Sequence, residues 1–124
     1  MKMVDALIID DNRETADALK QMMDLLGVPA RVAYGASPAI SALSSLTPRL
    51  VLLDINMPGV DGTEILAFLR REPRLSMVPV IVVTSDDQPE TRQRVMQGGA
   101  TAMIIKPADL DSLEASLKKA GILS

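Results

Sequence analysis

The chain has 124 residues, a formal net charge of −3, one tyrosine, one phenylalanine, and neither cysteine nor histidine. That length is about one domain, which buries roughly two-thirds of its unfolded surface and needs no covalent staple. Disulfides and thiolate metal sites are excluded, the commonest general base is missing, and any bound metal is expected to be hard and oxygen-ligated.

The first strand is expected at Ala6-Leu7-Ile8-Ile9, which ends on Asp10 and Asp11. Asp5 and Asp10 interrupt the apolar stretch behind Lys2, so neither a signal peptide nor a membrane span is read here, and a cytoplasmic location is expected. Ala16, Leu19, Met23 and Leu26 then recur with helical spacing, and Gly27 supplies the stop. Ala30–Ala33 is a short, weak second strand. Ser37-Pro38 predicts an N-cap and a first-turn proline, with Ile40, Leu43 and Leu46 on one face and Thr47-Pro48 ending the helix.

Leu50-Val51-Leu52-Leu53 is apolar on both faces, the mark of a parallel strand covered by helices, and it stops at Asp54. After the turn Met57-Pro58-Gly59-Val60-Asp61-Gly62, a third helix runs through Ile65, Leu66 and Leu69 to Pro73. Pro79–Val83 is a fourth strand ending on Thr84-Ser85. Pro89–Gln97 is a helix with only Val95 and Met96 for the core, closed by Gly98-Gly99, and this poverty of apolar surface predicts mobility. Ala102–Ile105 ends on Lys106-Pro107, and Asp109 caps a last helix striped by Leu110, Leu113 and Leu117. Among the methionines, Met22, Met23, Met77 and Met96 read as core filler and Met57 as exposed in its turn. Strands alternating with helices over residues 1–124 indicate repeated βαβ units and one domain, with no effector domain in this chain.

Open α/β sheets bind ligands at the carboxyl ends of their strands, where four strands here deliver Asp10, Asp11, Asp54, Thr84 and Lys106. Clustered carboxylates raise one another's pKa unless a cation compensates. Mg²⁺ suits a site of oxygen ligands, and it is typically held by one or two carboxylates with a phosphate. Lys106 offers a positive charge to a phosphoryl oxygen and Thr84 a donor to another. With the charges screened, an aspartate can itself be the nucleophile of phosphoryl transfer, and Asp54, behind the most buried strand and before a turn, is the best placed.

The paired acids Asp10-Asp11, the block Asp54-Ile55-Asn56-Met57-Pro58-Gly59-Val60-Asp61-Gly62, Thr84-Ser85 and Lys106-Pro107 together resemble the receiver domain of bacterial two-component response regulators. The resemblance spans essentially the whole chain. It implies a flavodoxin-like, doubly wound (βα)5 fold with a five-stranded parallel sheet of order 2-1-3-4-5. It further implies Asp54 as phosphoacceptor, with Mg²⁺ held by Asp54, Asp11 directly, Asp10 through water and the backbone carbonyl of Asn56. Thr84 is implied as the switch hydroxyl, Lys106 as the phosphoryl-binding cation, and a cis peptide before Pro107. The expected partners are a histidine kinase or histidine phosphotransfer protein and a downstream protein or effector domain, with a homodimer also open. Two positions depart from the family. Met103 stands where an aromatic switch residue is usual, and Arg49 where an acid or polar residue is common.

Taken singly, these residues have plainer readings: Asp10-Asp11-Asn12 as a helix cap, Asp61-Gly62 as an ordinary turn or a helix start, Asp86-Asp87 as a solvated loop, Lys118-Lys119 as complements to a helix dipole. Their conjunction at one edge favours the phosphoryl site. No basic block exceeds Lys118-Lys119, and with Tyr34 and Phe68 as the only aromatics, nucleic-acid binding is not expected. The competing class is a receiver-like docking module working without phosphate, which Met103 favours and the intact charged cluster opposes. A haloacid dehalogenase-like phosphatase needs a second acid where Asn56 stands, and a flavin carrier needs a glycine- and hydroxyl-rich first turn where the acids stand. The reading is of a domain that catalyses its own phosphorylation and dephosphorylation and is not a conventional enzyme.

Overall fold

In the computed structural model, which describes residues 2–124, the strands and helices alternate. Strands β1 (Lys2–Ile9), β2 (Ala30–Ala33), β3 (Leu46–Leu53), β6 (Val80–Thr84) and β7 (Ala102–Ile105) form one five-stranded sheet, and all their pairings are parallel. Between β3 and β6 lies a two-residue hairpin of β4 (Asn56–Met57) and β5 (Val60–Asp61). The sheet order β2-β1-β3-β6-β7 is therefore the expected 2-1-3-4-5 once the hairpin is set aside.

Successive side chains of a strand point to opposite faces, and here both faces are covered. Leu7, Ile9, Val51, Leu53, Val80 and Val82 pack on one side against α2 (Ala36–Leu43), α3 (Gly62–Arg71) and α4 (Pro89–Gln97). Ala6, Ile8, Leu50, Leu52, Ile81 and Val83 pack on the other against α1 (Arg13–Leu25) and α5 (Leu110–Lys119). Burying a leucine or isoleucine side chain contributes about 1.5–3 kcal/mol, so each apolar run holds its strand between two helical layers.

Most element ends follow from local chemistry. Asn12 Oδ1 accepts from the Thr15 N–H to cap α1, Asp61 caps α3 through the Thr63 N–H, and Asp109 with Ser112 forms a capping box on α5. The Lys106–Pro107 peptide is cis.

The second helix departs from expectation. Its N-cap is Gly35, at φ +123°, and not Ser37; Ala36 and Ser37 open the first turn and Pro38 follows at the third helical position. A proline fits there because the first-turn N–H groups have no intrahelical acceptor in any case. The helix stops at Leu43, and Leu46, Thr47 and Pro48 belong to β3, paired with Lys2, Met3 and Val4 of β1. Pairing between β3 and β6 begins only at Val51, so Pro48 sits where the strand has a neighbour on one side. Ile40 is exposed while Ala39 and Leu43 are buried. Leu110 is also exposed, and the buried stripe of α5 is Leu113, Ser116 and Leu117. The methionine readings reverse at two positions: Met57 is buried against the α3 side, and Met77, in the loop before β6, is 90% exposed.

Candidate phosphoryl-accepting site

The first strand carries its backbone pairing one residue past its end: the Asp10 N–H donates to Ala33 O at 3.2 Å, and the Asp54 N–H donates to Ile9 O at 2.9 Å. Asp10 and Asp54 are thereby fixed on neighbouring strands at the same edge, and both are buried. Across the sheet, the Lys106 N–H donates to Thr84 O at 2.7 Å and holds the lysine beside them.

Lys106 Nζ lies 3.1 Å from Asp10 Oδ2 and 3.5 Å from Asp54 Oδ2. The second oxygen of each aspartate accepts a backbone N–H two residues on, Asn12 to Asp10 Oδ1 at 2.9 Å and Asn56 to Asp54 Oδ1 at 3.0 Å. Asp11 is exposed, yet one of its oxygens lies within 4.8 Å of oxygens from Asp10 and Asp54. Three carboxylates against one ammonium leave an excess of two negative charges, all on hard oxygen donors. That donor set fits a divalent hard cation.

Burial is the main cause raising the Asp54 carboxyl above its ordinary pKa, and Asp10 adds to it; the Asn56 N–H and the Lys106 charge pull the other way. Thr84 is fully buried, and its hydroxyl oxygen accepts from Asn56 Nδ2 at 2.9 Å and from the Asp86 N–H at 3.1 Å. A hydroxyl accepts two bonds and still carries a proton of its own, so Thr84 remains a donor.

The structure thus brings Asp10, Asp11, Asp54, Thr84 and Lys106 to one edge as read from the sequence. Asn56 enters through its backbone N–H and side-chain amide. The amide contact to Thr84 had no sequence signal, since it joins residues on different elements. Met103 is buried with Val95 and Ala100 on the α4 side of the sheet, so a methionine fills the position where an aromatic ring is usual. Arg49 pairs with Asp5 at 3.3 Å on the surface, with both side chains largely exposed. Gly62 is required for a reason other than turn flexibility: a Cβ there would come within 2.3 Å of Ile55 Cα and 2.7 Å of the Asp54 carbonyl oxygen. Beside Lys106 a groove of about 390 Å³ opens between α1 and the β7–α5 turn, lined by Leu19, Met22, Val83, Pro107 and Ala108 among others.

A doubly wound sheet with a buried aspartate, two further acids and a lysine at its carboxyl edge defines an α/β domain with a candidate hard-cation site beside an ammonium group. The response regulator receiver domain model matches residues 6–118, and the chain belongs to that family. Phosphorylation and Mg²⁺ binding are typical of it. An uncharacterized 14.6 kDa protein of Leptolyngbya boryana is 33% identical over 106 residues, covering 86% of this chain and 81% of that one. The C4-dicarboxylate transport transcriptional regulatory protein DctD of Pseudomonas aeruginosa is 33% identical over 114 residues, covering 92% of this chain but only 24% of its own length. The signal receiver domain of a DNA binding response regulator from Colwellia psychrerythraea superposes with a TM-score of 0.86 at 30% identity, covering 94% of this chain and 96% of that one. Among the described residues no helix is long and apolar enough to cross a membrane.

Proposed function

We propose that Asp54 accepts a phosphoryl group from a phosphohistidine on a histidine kinase or histidine phosphotransfer protein. A carboxylate oxygen of Asp54 attacks phosphorus, the phosphorus–nitrogen bond to the imidazole breaks, and the leaving ring nitrogen takes a proton; the product is an acyl phosphate on Asp54. The observation that carries this reading is the position of Lys106 Nζ, 3.1 Å from Asp10 and 3.5 Å from Asp54. From there it can follow negative charge from the carboxylates to the equatorial phosphoryl oxygens. The Asn56 N–H holds Asp54 Oδ1 while the Lys106 ammonium faces Oδ2, and together they orient the carboxylate. The Thr84 hydroxyl donates a hydrogen bond to a phosphoryl oxygen.

Mg²⁺ would be held by Asp11 and Asp54, by Asp10 through water and by the backbone carbonyl of Asn56, and would supply charge neutralisation between carboxylate and phosphoryl group. The mainly apolar groove beside Lys106 is suited to a helix of the phosphodonor protein. Output passes to a downstream protein or an attached effector domain, or through a homodimer, in the cytoplasm. The domain transfers the group to itself and loses it to water, so it turns over no separate metabolite.

Mass spectrometry after incubation with acetyl phosphate and Mg²⁺ tests this. Wild type should gain one phosphoryl mass, the gain should need the metal, and Asp54→Ala should show none. A folded wild-type protein that gains nothing would leave the phosphate-independent docking module as the better account.

A further inference from the structure

With Met103 buried in the core, phosphoryl uptake has no aromatic ring to move, but a run of side-chain hydrogen bonds leads from the site into α4. Asn56 Nδ2 donates to Thr84 Oγ1, and the same oxygen accepts the Asp86 N–H. The Asp86 carboxylate then accepts from the Gln88 N–H at 3.0 Å and, on its other oxygen, from Thr91 Oγ1 at 2.6 Å. Thr91 is buried in the first turn of α4. The N-cap residue Gln88 gives the helix no side-chain bond, so Asp86 fastens this end from two residues further out.

The opposite end of α4 is held by a different device. Arg70 of α3 donates from Nε and a terminal nitrogen to the Gly99 carbonyl, at 3.2 and 2.9 Å. Gly99 has φ +100°, and a Cβ there would lie 2.8 Å from Arg70 Nε. Between the two fastenings only Thr91 and Val95 are buried.

We infer that the Asp86–Thr91 clasp is the release point of this receiver: it holds the first turn of α4 in the resting state and opens when Thr84 turns to a phosphoryl group on Asp54, while Arg70 keeps the far end fixed. The inference rests on the phosphoacceptor role proposed for Asp54. Rotation of the Thr84 side chain toward a phosphoryl oxygen swings Oγ1 off the Asp86 N–H, and the Asp86 backbone, so released, shifts with the carboxylate that holds Thr91. A bond made only in the resting state opposes phosphoryl binding, and by linkage its removal strengthens that binding.

The test is a calorimetric titration of wild type, Thr91→Val and Thr91→Ser with beryllium fluoride, a phosphoryl mimic, in the presence of Mg²⁺. Valine keeps the shape of threonine without the hydroxyl, and serine keeps the hydroxyl. Thr91→Val should bind about fivefold more tightly than wild type, the effect of one hydrogen bond of about 1 kcal/mol, and Thr91→Ser should match wild type. Equal or weaker binding by Thr91→Val overturns the clasp while leaving the Asp54 reading intact. No binding by wild type overturns that reading, and the clasp with it. Should Thr91→Val not fold, Thr91→Ala removes the same hydroxyl without changing any charge, and its tighter or unchanged binding has the same two meanings.

Discussion

Asp54 shows at the scale of one residue what burying a carboxylate costs the fold. Its carboxyl pKa is raised chiefly by burial, with Asp10 adding to the effect. A carboxyl whose folded pKa exceeds its unfolded one binds its proton first in the native state, so stability falls as pH rises from the ordinary value toward the raised one. Above that interval the ionised side chain is a net cost. Asp54→Asn removes the charge and keeps an acceptor for the Asn56 N–H, while Lys106 retains Asp10. In a chelator, the variant should therefore be more stable than wild type near neutral pH. The difference should shrink on acidification and vanish below the ordinary carboxyl pKa. Urea midpoints of both proteins between about pH 3.5 and 7 measure it, and a difference independent of pH would remove charge burial as the cause.

Two arginines join elements in a way that one-dimensional periodicity does not reveal. Arg74 donates to the Leu43 and Leu46 carbonyls and to Thr47 Oγ1, tying the end of α2 to the start of β3. Arg70 donates to the Ser76, Val78 and Gly99 carbonyls, tying α3 to the loop before β6 and to the turn between α4 and β7. Each guanidinium replaces several solvent contacts of part-buried carbonyls with charge-assisted bonds. Arg70→Ala should cost about 2–3 kcal/mol in chemical denaturation. Lys20→Ala, which removes an exposed pair to Asp24 at 3.4 Å, should change stability by no more than about 0.5 kcal/mol. Equal effects from the two variants would reduce Arg70 to a surface charge. Long-range pairing also sets the end of α2, which helical spacing alone extends too far. Leu43 and Leu46 keep helical spacing, but pairing with β1 takes Leu46–Pro48 into the sheet. The weakest apolar pattern nonetheless gave correct bounds: α4 occupies Pro89–Gln97 as read, set by the proline at its start and the glycine that follows it.

Over the whole molecule, the alternation of buried side chains along the strands places the acids at one edge, and this much was legible because a run apolar on both faces can end in polar residues only where the sheet ends. The order of the sheet came with the family resemblance, and the hydrogen bonds among Asn56, Thr84, Asp86 and Thr91 were hidden because they join separate elements. The layers differ in what they bury. Strands β1, β3 and β6 have neighbours on both sides and helices on both faces, whereas α4 buries two residues and has few apolar anchors. Opening free energies follow buried apolar contact, from near zero at poorly anchored segments to the global value in central strands. Native-state amide exchange should accordingly be slowest for Ala6–Ile9, Leu50–Leu53 and Val80–Val83, where only global unfolding exposes the backbone. The helical amides at the centre of α4 should exchange fastest among the five helices, by subglobal opening with weak denaturant dependence at low urea. Protection of α4 equal to that of α1 or α3 would mean that its two polar fastenings, Asp86–Thr91 and Arg70–Gly99, anchor it as firmly as an apolar face anchors its neighbours.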